Sequence, residues 1–145
     1  VSFENMFADN CGYQMMMRPC DFDVVLCCNQ LGDLFSDLTG SFAGSLGILP
    51  SGCLASNPAD GAAFGIYEST SGSAPDIAGK GIANPVGMIL SVGMMFEFTF
   101  GRADLNHAVE RAIERAIANG IATRDIGGTA SSTEMTDAIL ERLMQ

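Results

Sequence analysis

The chain has 145 residues, enough for one ordinary domain, and its content of 48% apolar and 17% charged residues is typical of a globular rather than a disordered protein. Its formal net charge of −10 argues against nucleic acid or an anionic membrane as a partner, because both need clustered Lys and Arg. An acidic chain remains compatible with the binding of cations.

The cysteines indicate a cytoplasmic protein. There are five of them, an odd number, and none forms a C-x-x-C pair, which predicts reduced, buried thiols. They are Cys11, Cys20, Cys27, Cys28 and Cys53. The chain opens at Val1 with no charged-then-apolar leader and no initiator Met, which suggests a fragment.

Two elements are predicted before residue 20. A short strand covers Val1–Ala8. A Met-rich helix follows near 10–17, because Asp9 and Asn10 can cap its start and Pro19 disfavours its continuation.

A strand and a longer helix come next. Asp23–Cys28 is predicted to be a buried strand, because its β-branched and Cys residues run without alternation. A helix over 29–42 begins at Asn29, a favourable N-cap residue, and carries apolar residues at helical spacing. These residues are Leu31, Leu34, Phe35 and Leu38.

Asp33 and Asp37 lie four residues apart and therefore on one face of this helix. Their repulsion costs a few tenths of a kcal/mol in an isolated helix. A divalent cation between the carboxylates would reverse that cost, since Mg²⁺ and Mn²⁺ prefer oxygen ligands. Spacing alone favours a solvated acidic face over such a metal site.

The middle of the chain is rich in Gly, Ser and Pro. The segment Gly40–Gly52 is Gly-rich, and Ala55–Ala63 is a loop by composition. Phe64–Glu68 is predicted to be a short strand, and Ser69–Gly81 an ordered loop without a repeating pattern.

Three helices are predicted for the rest, and the alternation of strands and helices indicates an α/β fold. The apolar run Val86 to Met95 is too short to cross a bilayer, so a buried helix over 84–100 is expected, with Pro85 in its first turn. A second helix starts at Asp104 and stops at Gly120, and a third runs from Ser132 or Thr133 to about Met144.

The buried sides of the last two helices follow from their periodicity. His107, the single histidine, lies off the apolar stripe and is expected at the surface. The stripe of the second helix comprises Leu105, Ala108, Val109, Ala112, Ile113, Ala116 and Ile117, and that of the third Met135, Ala138, Ile139 and Leu143.

The segment Gly72–Pro85 contains Gly79-Lys80 but matches no standard nucleotide motif. A G-x-x-x-x-G-K-[ST] P-loop would need Gly at position 74 and Ser or Thr at 81, where Ala74 and Gly81 stand. The G-x-G-x-x-G pattern of Rossmann proteins is also absent from this segment.

Several longer motifs resemble the β-decarboxylating dehydrogenases, the family of isocitrate and isopropylmalate dehydrogenases. Gly72–Pro85 resembles their cofactor loop, Asp9–Val24 their first metal-ligand helix and following strand, and the N-x-x-G-D-x-x-S-D pattern at 29–37 their metal helix. Gly44–Ser51 and Asp125–Gly128 are closer to the isopropylmalate branch. The chain is therefore identified as a member of this family, which implies its non-Rossmann α/β fold.

The resemblance implies a metal site shared between two copies of the chain. Asp33 and Asp37 would hold Mg²⁺ or Mn²⁺ from one subunit, and Asp9 would complete the site from the other and approach the substrate. The homodimer would form through the helices near 10–17 and 29–42. Asp9 taken alone could be only a helix cap.

The resemblance also implies NAD as cofactor, with Asn84 at the adenine edge and Asp125 near the cofactor. Asp76 and Ile77 match NAD-using members of the family. The chemistry agrees with this match, because a carboxylate accepts a hydrogen bond from a ribose 2′-OH and repels a 2′-phosphate. Glu68 would lie by the nicotinamide ribose. The adenosine half would be wrapped by Gly72, Ser73, Ala74, Pro75, Asp76, Ile77, Ala78, Gly79, Lys80, Gly81, Ile82, Ala83 and Asn84.

Each of these residues has a structural alternative, and one position departs from the family. Glu68 could be a surface charge at a strand end, Asp76 could cap a turn, and Lys80 is expected to be structural or exposed. The family's loop opens with His-Gly, where this chain has Ser71-Gly72, and the loss is expected to weaken NAD binding.

The implied function is NAD-dependent oxidative decarboxylation of 3-isopropylmalate in leucine biosynthesis. Isocitrate, homoisocitrate, tartrate or malate are alternative substrates, and a non-catalytic module that dimerises and binds metal is a second class. The family's acid/base Tyr and catalytic Lys would precede Val1, so no catalytic residue is assigned here. Residues 1–43 would end the second domain, and 44–145 would return into the first, cofactor-binding domain.

Overall fold

The computed structural model of the chain describes residues 2–55 and 63–144. The chain divides into two compact units, residues 1–43 and residues 44–145. The assignment of these units to two domains of a longer protein stays a prediction. The loop predicted over 55–63 lies outside the described residues except for its two ends.

The first unit contains two helices, α1 (Ala8–Met17) and α2 (Asn29–Ala43), with a short 3₁₀ turn between them. The predicted helices near 10–17 and 29–42 are thus confirmed. The buried ring of Phe35 on α2 lies against Gly12 on α1, where an added Cβ would come within 3.2 Å of Cε1. Asp9 lies in the first turn of α1 and not at its cap.

Both strands predicted for the first unit are wrong. Residues 2–7 and 22–28 form neither strand nor helix, and the side chains of Val24 and Leu26 are each 88% exposed. A strand needs a neighbour to pair its N–H and C=O groups, and the described residues of this unit provide none.

The prediction of buried thiols is also wrong for four of the five cysteines. Cys11, on α1, is buried, whereas the others are exposed, and all five thiols are free. The exposed ones are Cys20, Cys27, Cys28 and Cys53. Cys27 and Cys28 are exposed because their segment does not form the buried strand that was expected.

The second unit is built on a two-stranded antiparallel sheet, β1 (Pro50–Leu54) and β2 (Gly65–Ser69). β2 confirms the strand predicted over 64–68. β1 lies partly within the Gly-rich segment and was not predicted from the sequence, because its Pro and Gly residues have low strand propensity.

Three helices complete the second unit: α3 (Val86–Phe98), α4 (Ala103–Ala118) and α5 (Ser132–Leu143). All three predicted helices are confirmed. α3 packs on the sheet, where a Cβ at Gly52 would come within 3.0 Å of Met94 Cε. Asp104 lies in the first turn of α4 rather than at its cap.

The core of the second unit lies where α3, α4 and α5 meet. It confirms the predicted buried sides of α4 and α5, although Ile117 and Leu143 are each 38% exposed. His107 is exposed, as predicted, and pairs with Glu110 at 3.0 Å. The core residues are Val86, Val109, Ala112, Ile113, Ala116, Met135, Ala138 and Ile139.

A reciprocal capping box fixes the start of α5. The hydroxyl of Ser131 accepts from the Glu134 amide, and the Glu134 carboxylate accepts from the Ser131 amide. Within residues 2–55 and 63–144, no helix is both long and apolar enough to cross a membrane.

We expect Met135→Ala to lower the free energy of unfolding by about 2–5 kcal/mol, because it leaves a cavity at a fully buried site. Leu140→Ala on the same helix is the matched control, since Leu140 is 53% exposed and its truncation should cost much less. Urea denaturation of both variants measures the difference. Equal losses would contradict the placement of the core.

Candidate functional site

The second unit contains an open groove of about 390 Å³ along the segment that follows β2. Its walls come from three parts of the chain: the loop after β2, the turn before β1 and the segment between α4 and α5. The groove is lined by Ser45, Gly47, Ser71, Gly72, Ser73, Ala74, Ile77, Ala78, Gly79, Gly81, Ile82, Ala83, Asn84 and Asp125.

The loop side of the groove includes three residues with a left-handed backbone conformation. Gly79 and Gly81 have φ values of +75° and +64°, which glycine adopts without steric cost. Ala74 has a φ of +39°, rare for a residue with a Cβ, and leads into the 3₁₀ turn Pro75–Ile77. The loop is therefore a specific ordered structure, as predicted for residues 69–81.

The end of the loop is tied to the start of α5. The Ser132 amide donates to the carbonyl of Gly81 at 2.8 Å, and the Ser132 hydroxyl donates to the carbonyl of Ala83. Helix α5, which contributes part of the core, thus also holds the loop in place.

Asp125 joins the other two walls of the groove. Its Oδ2 accepts hydrogen bonds from the Ser45 hydroxyl and from Asn84 Nδ2, the latter at 2.9 Å. Its Oδ1 accepts from the Thr123 hydroxyl at 2.6 Å. Partial burial alone would raise the pKa of Asp125, but the bonds from Ser45, Thr123 and Asn84 favour the charged form, and the net pKa is lowered.

Close packing at this junction requires glycine at position 47. A Cβ at Gly47 would lie 2.9 Å from the Asn84 Cβ and 3.1 Å from Asp125 Oδ2. Asn84 also accepts from the Val86 amide at 3.0 Å through Oδ1. Both ends of the Asn84 carboxamide are therefore engaged inside the protein, which leaves one side-chain N–H and the backbone for a ligand.

Most of the residues predicted to bind the cofactor line the groove, but four do not. Glu68, Pro75, Asp76 and Lys80 are absent from its walls. Glu68 and Asp76 are exposed, on β2 and on the 3₁₀ turn respectively. Lys80 is exposed and outside the groove, and among the described residues no Lys, Arg or His side chain lines it.

The predicted metal ligands lie in the first unit. Asp33 and Asp37 lie on the same face of α2, and among the described residues no side chain bonds to their carboxylates. Asp9 is exposed in the first turn of α1, and its Oδ1 accepts from the Asn10 amide at 2.8 Å. The described part of one chain holds no group of three acidic, His or Cys side chains suited to a metal.

The acidic pair fits a hard cation in its chemistry. Carboxylate oxygens on one helix face suit Mg²⁺ or Mn²⁺ better than softer metals. One chain contributes two such groups, so a complete site needs further oxygens from elsewhere.

Sequence reasoning missed three residues that shape the groove: Ser45, Thr123 and Ser132. Each is a small hydroxyl residue whose partner is distant in sequence or lies in an irregular segment. Only the Thr123-x-Asp125 spacing gave a local signal, because Ser and Thr side chains often bond to groups two residues away.

The model of the isocitrate/isopropylmalate dehydrogenase family matches residues 1–139. The chain is 47% identical over 141 residues to the 3-isopropylmalate dehydrogenase of Lactococcus lactis, covering 97% of this chain and 39% of that protein. It is 46% identical over 143 residues to that of Streptococcus pneumoniae, covering 99% and 40%. The chain thus spans about 40% of the length of these curated relatives.

Solved structures resemble the chain over nearly its whole length. An isocitrate dehydrogenase from Methylococcus capsulatus matches with a TM-score of 0.89 and 36% identity, over 100% of this chain and 42% of that one. A β-decarboxylating dehydrogenase from Thermococcus kodakarensis, in its apo form, matches with a TM-score of 0.74 and 37% identity, over 94% and 38%. The predicted fold class is confirmed.

We expect Asp125 to stabilise the fold at neutral pH and to lose that effect in acid. Its pKa is lowered on folding, so its contribution is present above the unfolded value of about 3.9 and is lost as the pH falls through the lower folded value. The free energy of unfolding of the wild type should therefore approach that of Asp125→Asn between about pH 5 and about pH 2.

Urea titrations across this pH range measure the effect. Asp137→Asn, at an exposed position on α5, is the matched control and should differ from the wild type by a small amount at every pH. A gap between wild type and Asp125→Asn that stays constant with pH would contradict the prediction.

Proposed function

The chain belongs to the isocitrate/isopropylmalate dehydrogenase family, and on that premise we propose that it is part of an NAD-dependent 3-isopropylmalate dehydrogenase. The reaction is the oxidative decarboxylation of (2R,3S)-3-isopropylmalate to 4-methyl-2-oxopentanoate, in the leucine biosynthesis of the cytoplasm. The names of its relatives, at 46–47% identity, support the substrate. The observation that carries the proposal is the groove formed by the loop after β2 and the Asp125 junction.

The groove is suited to the adenosine half of NAD rather than to its phosphates. Backbone and small side chains form its walls, and Ile77 and Ile82 supply apolar surface for a planar base. Arg and Lys side chains are the usual partners of a pyrophosphate, and within residues 2–55 and 63–144 none of them lines the groove. Lys80 is therefore an exposed residue in this proposal and not a phosphate clamp.

The charges around the groove favour NAD over NADP. Asp125 lies in its wall with a lowered pKa, so it is ionised at neutral pH, and Asp76 lies at the surface beside Ile77 of the lining. A ribose 2′-hydroxyl can donate to the Asp76 carboxylate, whereas a 2′-phosphate would be repelled by both charges without a compensating Arg.

Asp33 and Asp37 would hold Mg²⁺ or Mn²⁺ together with Asp9 from a second copy of the chain. The free carboxylates on one face of α2 and the exposed position of Asp9 support this assignment. When bound, the cation would supply Lewis-acid polarisation of the substrate oxygens. Asp9 would also approach the substrate, and the homodimer would form through α1 and α2.

Other substrates of the family remain competing proposals. The 36% identity to an isocitrate dehydrogenase favours isocitrate as the second candidate. A panel of 3-isopropylmalate, isocitrate, homoisocitrate, tartrate and malate, tested on the complete protein, discriminates among them. The acid/base Tyr and Lys are not assigned to any residue of this chain, so we expect the 145 residues alone to show no turnover.

We expect Asp33→Asn to weaken Mn²⁺ binding by at least about tenfold, since even outer partners of a metal site contribute 10- to 100-fold. The electron paramagnetic resonance signal of free Mn²⁺ during titration measures the affinity. Asp21→Asn is the matched control, because Asp21 is an exposed carboxylate of the same unit paired only with Arg18. If both variants bind Mn²⁺ equally well, the metal role of Asp33 is refuted.

We expect Asp76→Asn to reduce the preference for NAD⁺ over NADP⁺ by about tenfold, because a hydrogen bond to a charged group contributes about 1.5–3 kcal/mol. Calorimetric titration of each nucleotide measures the ratio, with Asp137→Asn as the exposed control. An unchanged ratio would leave Asp76 as a surface charge on the 3₁₀ turn.

A further inference from the structure

Two backbone amides, those of Gly47 and Val86, are connected to one carboxylate. The Gly47 amide donates to the Ser45 hydroxyl at 3.0 Å, and that hydroxyl donates to Asp125 Oδ2. The Val86 amide donates to Asn84 Oδ1, and Asn84 Nδ2 donates to the same oxygen. The turn before β1 and the start of α3 are thus both connected by hydrogen bonds to Oδ2 of Asp125.

Asp125 is itself held by its own segment. The fully buried Thr123 donates to Oδ1, and the Thr123 carbonyl accepts from the amides of Ile126 and Gly128 at 3.2 and 2.9 Å. This turn fixes the carboxylate where the two connections meet.

The carboxylate has little capacity left for a ligand. An ionised Asp offers about four lone-pair sites, and three are occupied by donors from the protein. A nucleotide-binding carboxylate needs acceptor sites that the protein does not occupy, and among the described residues no hydrogen bond is made to the side chain of Asp76 on the exposed turn.

We propose that Asp125 is a positioning residue that holds the segments 45–47 and 84–86 together at the groove and does not itself bind the nucleotide. The role deepens the proposed function and depends on it for the identity of the ligand. Without the carboxylate, Ser45 and Asn84 lose their common acceptor. Gly47 and Asn84 are then no longer held in contact through Asp125, and the groove widens.

The test uses the 145-residue chain and two independent measurements. Amide hydrogen exchange without nucleotide reports the order of the two segments, at Gly47 and at Val86. Calorimetric titration with NAD⁺ reports nucleotide binding. The variants are Asp125→Asn, Ser45→Ala and their double variant, with Asp137→Asn as the exposed control. Ser45→Ala is the milder change, because it removes one donor and leaves the charge bound to Thr123 and Asn84.

We expect Asp125→Asn to speed exchange at Gly47 and Val86 and to weaken NAD⁺ binding, each by about tenfold, as lost charge-assisted hydrogen bonds imply. Ser45→Ala should speed exchange at Gly47 and weaken NAD⁺ less. The double variant should resemble Asp125→Asn, because the two residues act through one contact.

A direct nucleotide contact predicts different results. Asp125→Asn would then weaken NAD⁺ while exchange at Gly47 and Val86 stays unchanged, and the effects of the two single variants would add. Either result overturns the positioning role. If the wild type binds no NAD⁺, the proposed function fails. The exchange comparison still decides whether Asp125 orders the segments 45–47 and 84–86.

Discussion

The groove in the second unit depends on a carboxylate whose hydrogen-bond donors come from the protein itself. Asp125 accepts from Ser45, Asn84 and Thr123, which belong to three segments far apart in the chain. Charge-assisted bonds of this kind are about twice as strong as neutral ones, and here they join irregular segments of the chain. The lowered pKa of Asp125 is the electrostatic consequence of the same contacts.

Around that junction, the groove is lined mostly by glycine, alanine and serine. Glycines at 79 and 81 adopt left-handed conformations, and Gly47 allows an approach that a Cβ would block. Ser132 at the start of α5 holds the far end of the loop through two carbonyls. A planar ligand can therefore meet amides and small surfaces, which is why the proposed occupant is a nucleoside and not a phosphate.

The two units contribute different chemistry to the proposed enzyme. The first offers paired carboxylates on α2, and the second offers the groove proposed to bind the nucleotide. The chain spans about 40% of the length of its curated relatives.

The sequence by itself determined the elements whose signal is local. The 3.6-residue periodicity of α4 and α5, the Gly120 stop and the i, i+4 spacing of Asp33 and Asp37 were all readable, because each depends on residues within a few positions. The motif at 72–84 likewise located the loop that lines the groove. The role of Asp125 was not readable, since its partners at 45 and 84 become neighbours only after folding.

Only the tertiary structure decided which apolar runs are buried and which charges face the groove. The segment 23–28 has a strand-like composition, yet Val24 and Leu26 stay exposed because no neighbouring strand among the described residues pairs with it. Asp76 and Lys80 lie within the recognised motif but outside the groove wall. Burial and hydrogen-bond partnership are properties of neighbours in space, and a linear pattern carries them only where those neighbours are also close along the chain.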